Sequence, residues 1–331
     1  MFKLTLIIAT IALAAVVAMG QAPTLQIQTP DGPNLPADLF YGNVKVKPLR
    51  LRPGTNQVIT IDDSDFFVNQ QYVDFLQRFP DQSGFTYWTS QLTNCGTNQA
   101  CINSQRIAVS NAFFYELEFQ QTGAYVYRLY RVAYGNTQPF PNPDTSVPGE
   151  NLKVPDYSVF KTDRQSVVGS SNLPQDQLNL ANTFVSRPEF ITRYPLSLSG
   201  DQFVSAVLAG IKNDLGVDLT SQQAGLVALY NSLGRGGVIY RLADDNIQTN
   251  PINNRPLIDE EYNRGFVFTQ YAGYLRRGPD MSGFLFWLGQ VNAGPLRDGG
   301  KQHGMVCSFI TSAEYQLRFG SQVTHTNAEC Q

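Results

Sequence analysis

Histidine is nearly missing from this chain: only His303 and His325 occur in 331 residues, both near the C-terminal end. Most of the length therefore lacks the usual general base and commonest metal ligand. No Gly-x-Ser-x-Gly elbow, His-Glu-x-x-His pair or phosphate loop is present either. Gly234-Arg-Gly-Gly237 has the glycines of a phosphate loop without its Lys-Ser/Thr ending or a preceding strand, and reads as a helix C-cap and turn. A basic surplus is also lacking. The formal charge is −3, which offers no positive field to nucleic acid and excludes it as the expected partner. With 42% hydrophobic and 12% aromatic residues, extensive disorder is excluded and a sizeable core is expected.

Residues 1–20 read as a secretory signal: Lys3, an apolar run from Leu4 to Met19, and small Ala18 and Gly20 at the cleavage positions. A membrane anchor is the competing reading, because the run approaches a spanning length. Cleavage is expected, leaving no membrane span and placing the protein outside the cell, in the periplasm or at the cell surface. Its four cysteines fit such an oxidising compartment. Of three possible connectivities, Cys95 with Cys101 and Cys307 with Cys330 is favoured, because each pair closes a local loop. Zinc held with His303 and His325 is the rival, but no Cys-x-x-Cys spacing supports it. No cofactor is expected.

Only two tryptophans occur, and they mark a duplication. Arg78-Phe-Pro-Asp-Gln-Ser-Gly-Phe-Thr-Tyr-Trp88 returns as Arg277-Gly-Pro-Asp-Met-Ser-Gly-Phe-Leu-Phe-Trp287, with Tyr72 and Tyr271 at the same offset upstream. Val68, Tyr72, Phe75, Leu76 and Phe79 draw one apolar helical stripe. Pro80 or Pro279 then stops the helix, Asp81 and Ser83 or Asp280 and Ser282 cap the next one, and that helix begins at Gly84 or Gly283. Phe85 and Trp88, like Phe284 and Trp287, should anchor it in the core. A second signature, Phe-x(4)-Glu-Phe/Tyr, occurs three times, with Glu118, Glu189 and Glu314 as its acids. Recurrence argues for packing, with each Glu reaching a backbone N–H or an arginine.

The expected fold is mainly α, built of repeated helical units, each a helix–turn–helix corner plus a third helix, after a short extended or β N-terminal segment. The expected partition is a signal at 1–20, an extended segment at 21–61 and a helical repeat at 62–122. A degenerate repeat at 123–196 with a Pro-rich insertion at 136–155, a partial repeat at 197–250 and a final repeat with tail at 251–331 complete it. Short strands are expected from Val44 to Ile61, around Arg52-Pro-Gly-Thr, after an extended linker from Gln21 to Pro36. Asp62-Asp-Ser-Asp65 reads as a helix cap, with a calcium loop as the sharper alternative. The long Pro-rich insertion is the expected place for a specific functional surface.

The Tyr-x-x-Phe/Tyr-Leu-x-Arg-x-Pro-Asp-x-Ser-Gly-Phe-x-x-Trp corner, followed by Phe-x(4)-Glu-Phe/Tyr, resembles the bacterial domain of unknown function 4214 over residues 67–119 and 266–319. A weaker likeness joins it to the helical linker domain of phycobilisomes. The resemblance implies an exported helical module and no reaction or active site. The expected function is thus a noncatalytic scaffold or interaction protein of the cell envelope or extracellular matrix, with an unidentified envelope or extracellular protein as partner. Carbohydrate binding or glycan processing is the alternative, with polysaccharide as ligand.

Overall fold

The computed structural model describes residues 59–136, 154–246, 248–320 and 322–330, together with the backbone of three short strands. These are β1 (Leu25–Gln28), β2 (Asp38–Tyr41) and β3 (Val44–Val46), an antiparallel sheet in that order with Leu25 opposite Tyr41 and Leu39 opposite Val46. Only β3 lies where strands were expected; β1 falls in the expected linker. The signal, residues 47–58 and most of the Pro-rich insertion (137–153) lie outside the described residues.

The first unit is α1 (Ser64–Gln71), α2 (Gln82–Thr93), α3 (Gln99–Tyr115) and the short α4 (Leu117–Gln121). Between α1 and α2 the chain widens into a π turn at Tyr72–Leu76 and reverses at Gln77, whose φ of 51° is left-handed. The wide turn inserts a residue into the ladder and rotates the residues beyond it. That rotation explains a departure from the expected stripe. Val68, Tyr72, Phe75 and Leu76 are buried, but Phe79, beyond the reversal, is 48% exposed.

The middle of the chain supplies α5 (Gly123–Tyr134), α6 (Tyr157–Gln165), α7 (Leu173–Val185), α8 (Pro188–Arg193), α9 (Gly200–Leu215) and α10 (Gln223–Ala243). Every residue of α5 is buried, so it forms the axis of the molecule. The glycine cluster in α10 does end a helical stretch, as expected, but a second stretch follows at once across a kink. Gly234, at φ 71° and ψ −165°, breaks the ladder, and helix resumes through Ala243. A Cβ at Gly236 would stand 2.0 Å from Oδ1 of Asn182, so its absence lets α10 lie directly on α7.

The last unit repeats the first: α11 (Arg255–Gln270), a π turn at Tyr271–Leu275, left-handed Arg276 at φ 53°, then α12 (Met281–Asn292), α13 (Gly299–Ile310) and α14 (Ala313–Gln316). The two π turns meet. Phe75 and Tyr274 hold the same position in the two copies and their rings touch edge-to-face at 5.0 Å. Contact between equal positions is the mark of a local twofold arrangement. Tyr274 also shares a hydrogen bond with Ser110 of α3, and Gln71 donates to the Tyr315 hydroxyl.

Buried charge ties these layers together. Asp74, in the first π turn, accepts from Nη1 and Nη2 of Arg318 at 3.0 and 2.7 Å, and from Gln70 at 2.9 Å. Arg131 of α5 forks onto Glu261 of α11 at 2.9 and 3.0 Å, with both side chains almost fully buried. Pairs like these add little net stability when intact, because desolvation opposes the attraction, but breaking one strands a buried charge and costs about 3–5 kcal/mol.

The corner glycines generate a test with opposite signs. A Cβ at Gly84 would stand 2.1 Å from the Tyr72 hydroxyl, and one at Gly283 would stand 2.2 Å from that of Tyr271, whereas Gly289 in mid-α12 has open space. Gly84→Ala and Gly283→Ala should each destabilise by about 1–3 kcal/mol through overpacking. Gly289→Ala should stabilise by about 0.5–1 kcal/mol by relieving glycine's entropy loss. Urea unfolding checks both; destabilisation of similar size at all three positions would contradict the packing described.

Candidate functional site

The duplicated corner is built alike in both copies, and its polar residues are occupied with holding it. Asp81 caps α2 by accepting from Gly84 N at 2.8 Å and Ser83 Oγ at 2.6 Å, and Asp280 caps α12 through Gly283 N at 2.7 Å and Ser282 Oγ at 2.9 Å. The Ser83 and Gly84 bonds hold the Asp81 carboxyl below its ordinary pKa. Arg78 grips Glu118 with two bonds of 2.6 Å and lies 5.1 Å over the Tyr72 ring. Its counterpart Arg277 grips Glu314 at 2.7 and 3.1 Å and lies 5.3 Å over Tyr271. Two of the three recurring glutamates thus meet an arginine as expected. In the middle unit Glu189 sits exposed in the first turn of α8, while Arg187 turns to Asp163 at 2.6 Å.

The tryptophans meet the core as expected but are not fully covered. They pack on the core at Phe113 and Phe309, with centroids 5.5 and 6.0 Å away, yet both are half-buried. Phe85 is half-buried too, while Phe284 is buried. The reason is that α2 and α12 lie on the outside of the body, so only part of their surface is covered. Their outer faces carry matching aromatic pairs. Tyr87 meets Trp88 edge-to-face at 4.9 Å and 74°, and Phe286 meets Trp287 at 5.0 Å and 75°. Tyr87 and Phe286, equivalent positions, are each 57% exposed, and Leu285 beside the second pair is 54% exposed. The same apolar exposure thus recurs at equivalent positions of the two copies.

A further polar cluster lies elsewhere, under the C-terminal tail. The disulfides are Cys95–Cys101 and Cys307–Cys330, as expected, and the second holds the tail to α13. His325 Nε2 lies 2.7 Å from Asp62 Oδ1, and Nδ1 lies 2.8 Å from Glu329 Oε2. Both ring nitrogens can donate only as the imidazolium. Arg106 adds a bond of 3.2 Å to Asp62 and stacks 4.5 Å over Phe67. Asn103 donates to Glu329, and Gln316 accepts from the backbone N–H groups of Thr324 and His325. The tail therefore bridges the last unit to the first.

This cluster corrects the capping expectation for Asp62-Asp-Ser-Asp65. Asp63 occupies the N-cap position without a side-chain cap bond and accepts from Thr60 N instead; Asp65 does accept from Phe66 N at 2.8 Å in the first turn, while Asp62 serves the clasp. Sequence reading missed the clasp because Asp62 and His325 lie 263 residues apart. Among the described residues no group of three or more His, Cys, Asp or Glu side chains is placed to hold a metal. His325 explains why here: its two carboxylates flank opposite edges of the ring. No described helix is long and apolar enough to cross a membrane.

No family model, curated protein or solved structure matches this chain. The chemistry of the site therefore rests on geometry. What the clasp can do is titrate. Hydrogen bonding to Asp62 raises the His325 pKa above its ordinary 6.5. Burial would raise the Asp62 carboxyl, but the His325 hydrogen bond and the Arg106 charge outweigh it and bring it down to about 2. The histidine contribution is full below pH 6.5 and is lost as pH rises through the higher folded value. The Asp62 contribution is full above pH 3.8 and is lost as pH falls toward 2. The tail should be held best between these limits. Amide exchange at Thr324 and His325, corrected for intrinsic base catalysis, should therefore lose protection from about pH 5.5 to about pH 8.5, and His325→Gln should remove that dependence. Equal protection at both pH values in the native protein would contradict the ion-paired clasp.

Proposed function

We propose that the protein is an exported, noncatalytic interaction or scaffold protein of the cell envelope or extracellular matrix, binding a protein partner through its two aromatic faces. The observation that carries this reading is the duplicated exposure of Tyr87–Trp88 and Phe286–Trp287 in the same geometry. The corner's charged and capping groups are taken up in holding the fold, whereas Tyr87 and Phe286 are left open to water at equivalent positions. Aromatic side chains bring large, rigid contact area to an interface and are common where binding energy concentrates. Two such faces on one chain allow a partner with two sites to bind with increased effective concentration.

Export is supported by the apolar leader sequence and by two disulfides that leave no cysteine free. The corner motif's resemblance to the bacterial domain of unknown function 4214 supports the same setting. The exposed Tyr87 and Phe286 beside the partly buried tryptophans keep open the second reading, in which these faces stack on sugar rings of a polysaccharide.

Affinity capture from envelope and culture-medium fractions, using tagged mature protein and a Tyr87→Ser/Phe286→Ser variant, separates the readings. Recovery of defined proteins by the native chain and their loss with the variant is the expected result. Recovery of the same proteins by both would remove the aromatic faces from the account. Capture of polysaccharide alone would favour the sugar-binding reading.

A further inference from the structure

Arginines in this protein are almost uniformly engaged: each described arginine other than Arg264 makes an ion pair or a hydrogen bond, for example Arg235 to the carbonyls of Tyr194 and Pro195. Arg264 has neither among the described residues and is half-buried. It lines a cleft of about 260 Å³ between α11, α12 and the loop before α13. None of its nitrogens is among the buried unsatisfied atoms, so the guanidinium opens to the cleft, and its five donors match a carboxylate or phosphate fork.

The rest of the lining narrows the ligand. Glu260 and Asn292 are exposed at the rim and belong to the same cleft, together with Leu288 and Leu296. Asn263 donates to Asn292 Oδ1 at 2.8 Å, which fixes that amide's orientation with its NH₂ outward from this bond. The loop wall is also fixed. Arg297, left-handed at φ 65°, donates to Asp259 at 2.8 Å and lies 4.4 Å over the Tyr262 ring. A non-glycine residue holds that conformation only where surrounding contacts over-determine it, and such positions concentrate at binding sites. In the first unit the equivalent loop carries the Cys95–Cys101 disulfide instead.

We infer that this cleft binds one uronic-acid residue of an acidic glycan, with Arg264 taking the carboxylate. Sugar hydroxyls would donate to Glu260 and accept from Asn292, and Leu288 and Leu296 would cover the ring's C–H face. A polyacidic peptide fits less well, because it brings no hydroxyls to donate to Glu260 and accept from Asn292. The volume lies just below the range of about 300–1,000 Å³ for drug-sized ligands and suits one sugar unit of a longer chain. The inference is independent of the aromatic faces on α2 and α12.

Calorimetric titration of the mature full-length protein with trigalacturonic acid, its methyl ester and hexaglutamate tests it. Saturable binding of the triuronide should weaken at least about tenfold on methyl esterification and on Arg264→Gln, as expected for loss of a charged hydrogen-bonded pair. Esterification should then make no further difference in the variant. Because Arg264 makes no ion pair among the described residues, the variant should melt with the native protein, and the ester arm needs no variant at all. Absence of saturable binding, equal binding of the ester, or hexaglutamate binding as tight as the triuronide would overturn the assignment.

Discussion

The carboxylate of Asp74 is the constraint on which the arrangement of the two end units depends. It sits in the π turn of the first unit with no exposed side-chain surface, and its charge is met by Arg318 and Arg276 of the last unit. A buried anion of this kind demands its partners, so the first and last units must close on one another wherever the chain between them runs. Phe75 against Tyr274 and Ser110 against Tyr274 then fill the space around it. Arg131–Glu261 does the same work deeper in, holding the last unit to the central α5. The tail clasp, with its disulfide and His325, closes the same seam from outside.

Within this arrangement the duplicated corner turns the chain outward after each π turn. Asp81 and Asp280 cap the outer helices, Gly84 and Gly283 make room for a tyrosine hydroxyl, and the arginine–glutamate forks tie the corner to the end of the third helix. These forks are partly exposed and contribute modestly by themselves. Their value is geometric, since a fork fixes both distance and angle. The consequence is that one face of each outer helix remains open, and the aromatic pairs occupy it.

Much of the helical plan is legible along the chain because it depends on local rules. Proline stops, Asp/Ser caps and 3.6-residue spacing delimit α2 and α12, and loop closure by nearby cysteines selects both disulfides. What is hidden depends on distance or on a change of helical pitch. Phe79 looks like the next residue of an apolar stripe until the π turn and left-handed Gln77 shift the phase. Short α6 escapes because its residues are polar and its burial comes through Phe160 against Phe268, a contact made across 108 positions of sequence. The incomplete burial of Trp88 and Trp287 could not be read from their type, because burial is decided by which neighbours cover the helix. The Arg264 cleft is equally invisible, since an arginine's lack of a partner is a property of the whole packed surface.

Native-state hydrogen exchange on the native protein and on Asp74→Asn bears most directly on the claim that the end units share one core. Loss of the buried charge pair should lower protection of the slowest amides in both α3 and α13 together, by about 3–5 kcal/mol. A loss confined to the helices of the first unit, with α13 unchanged, would contradict it.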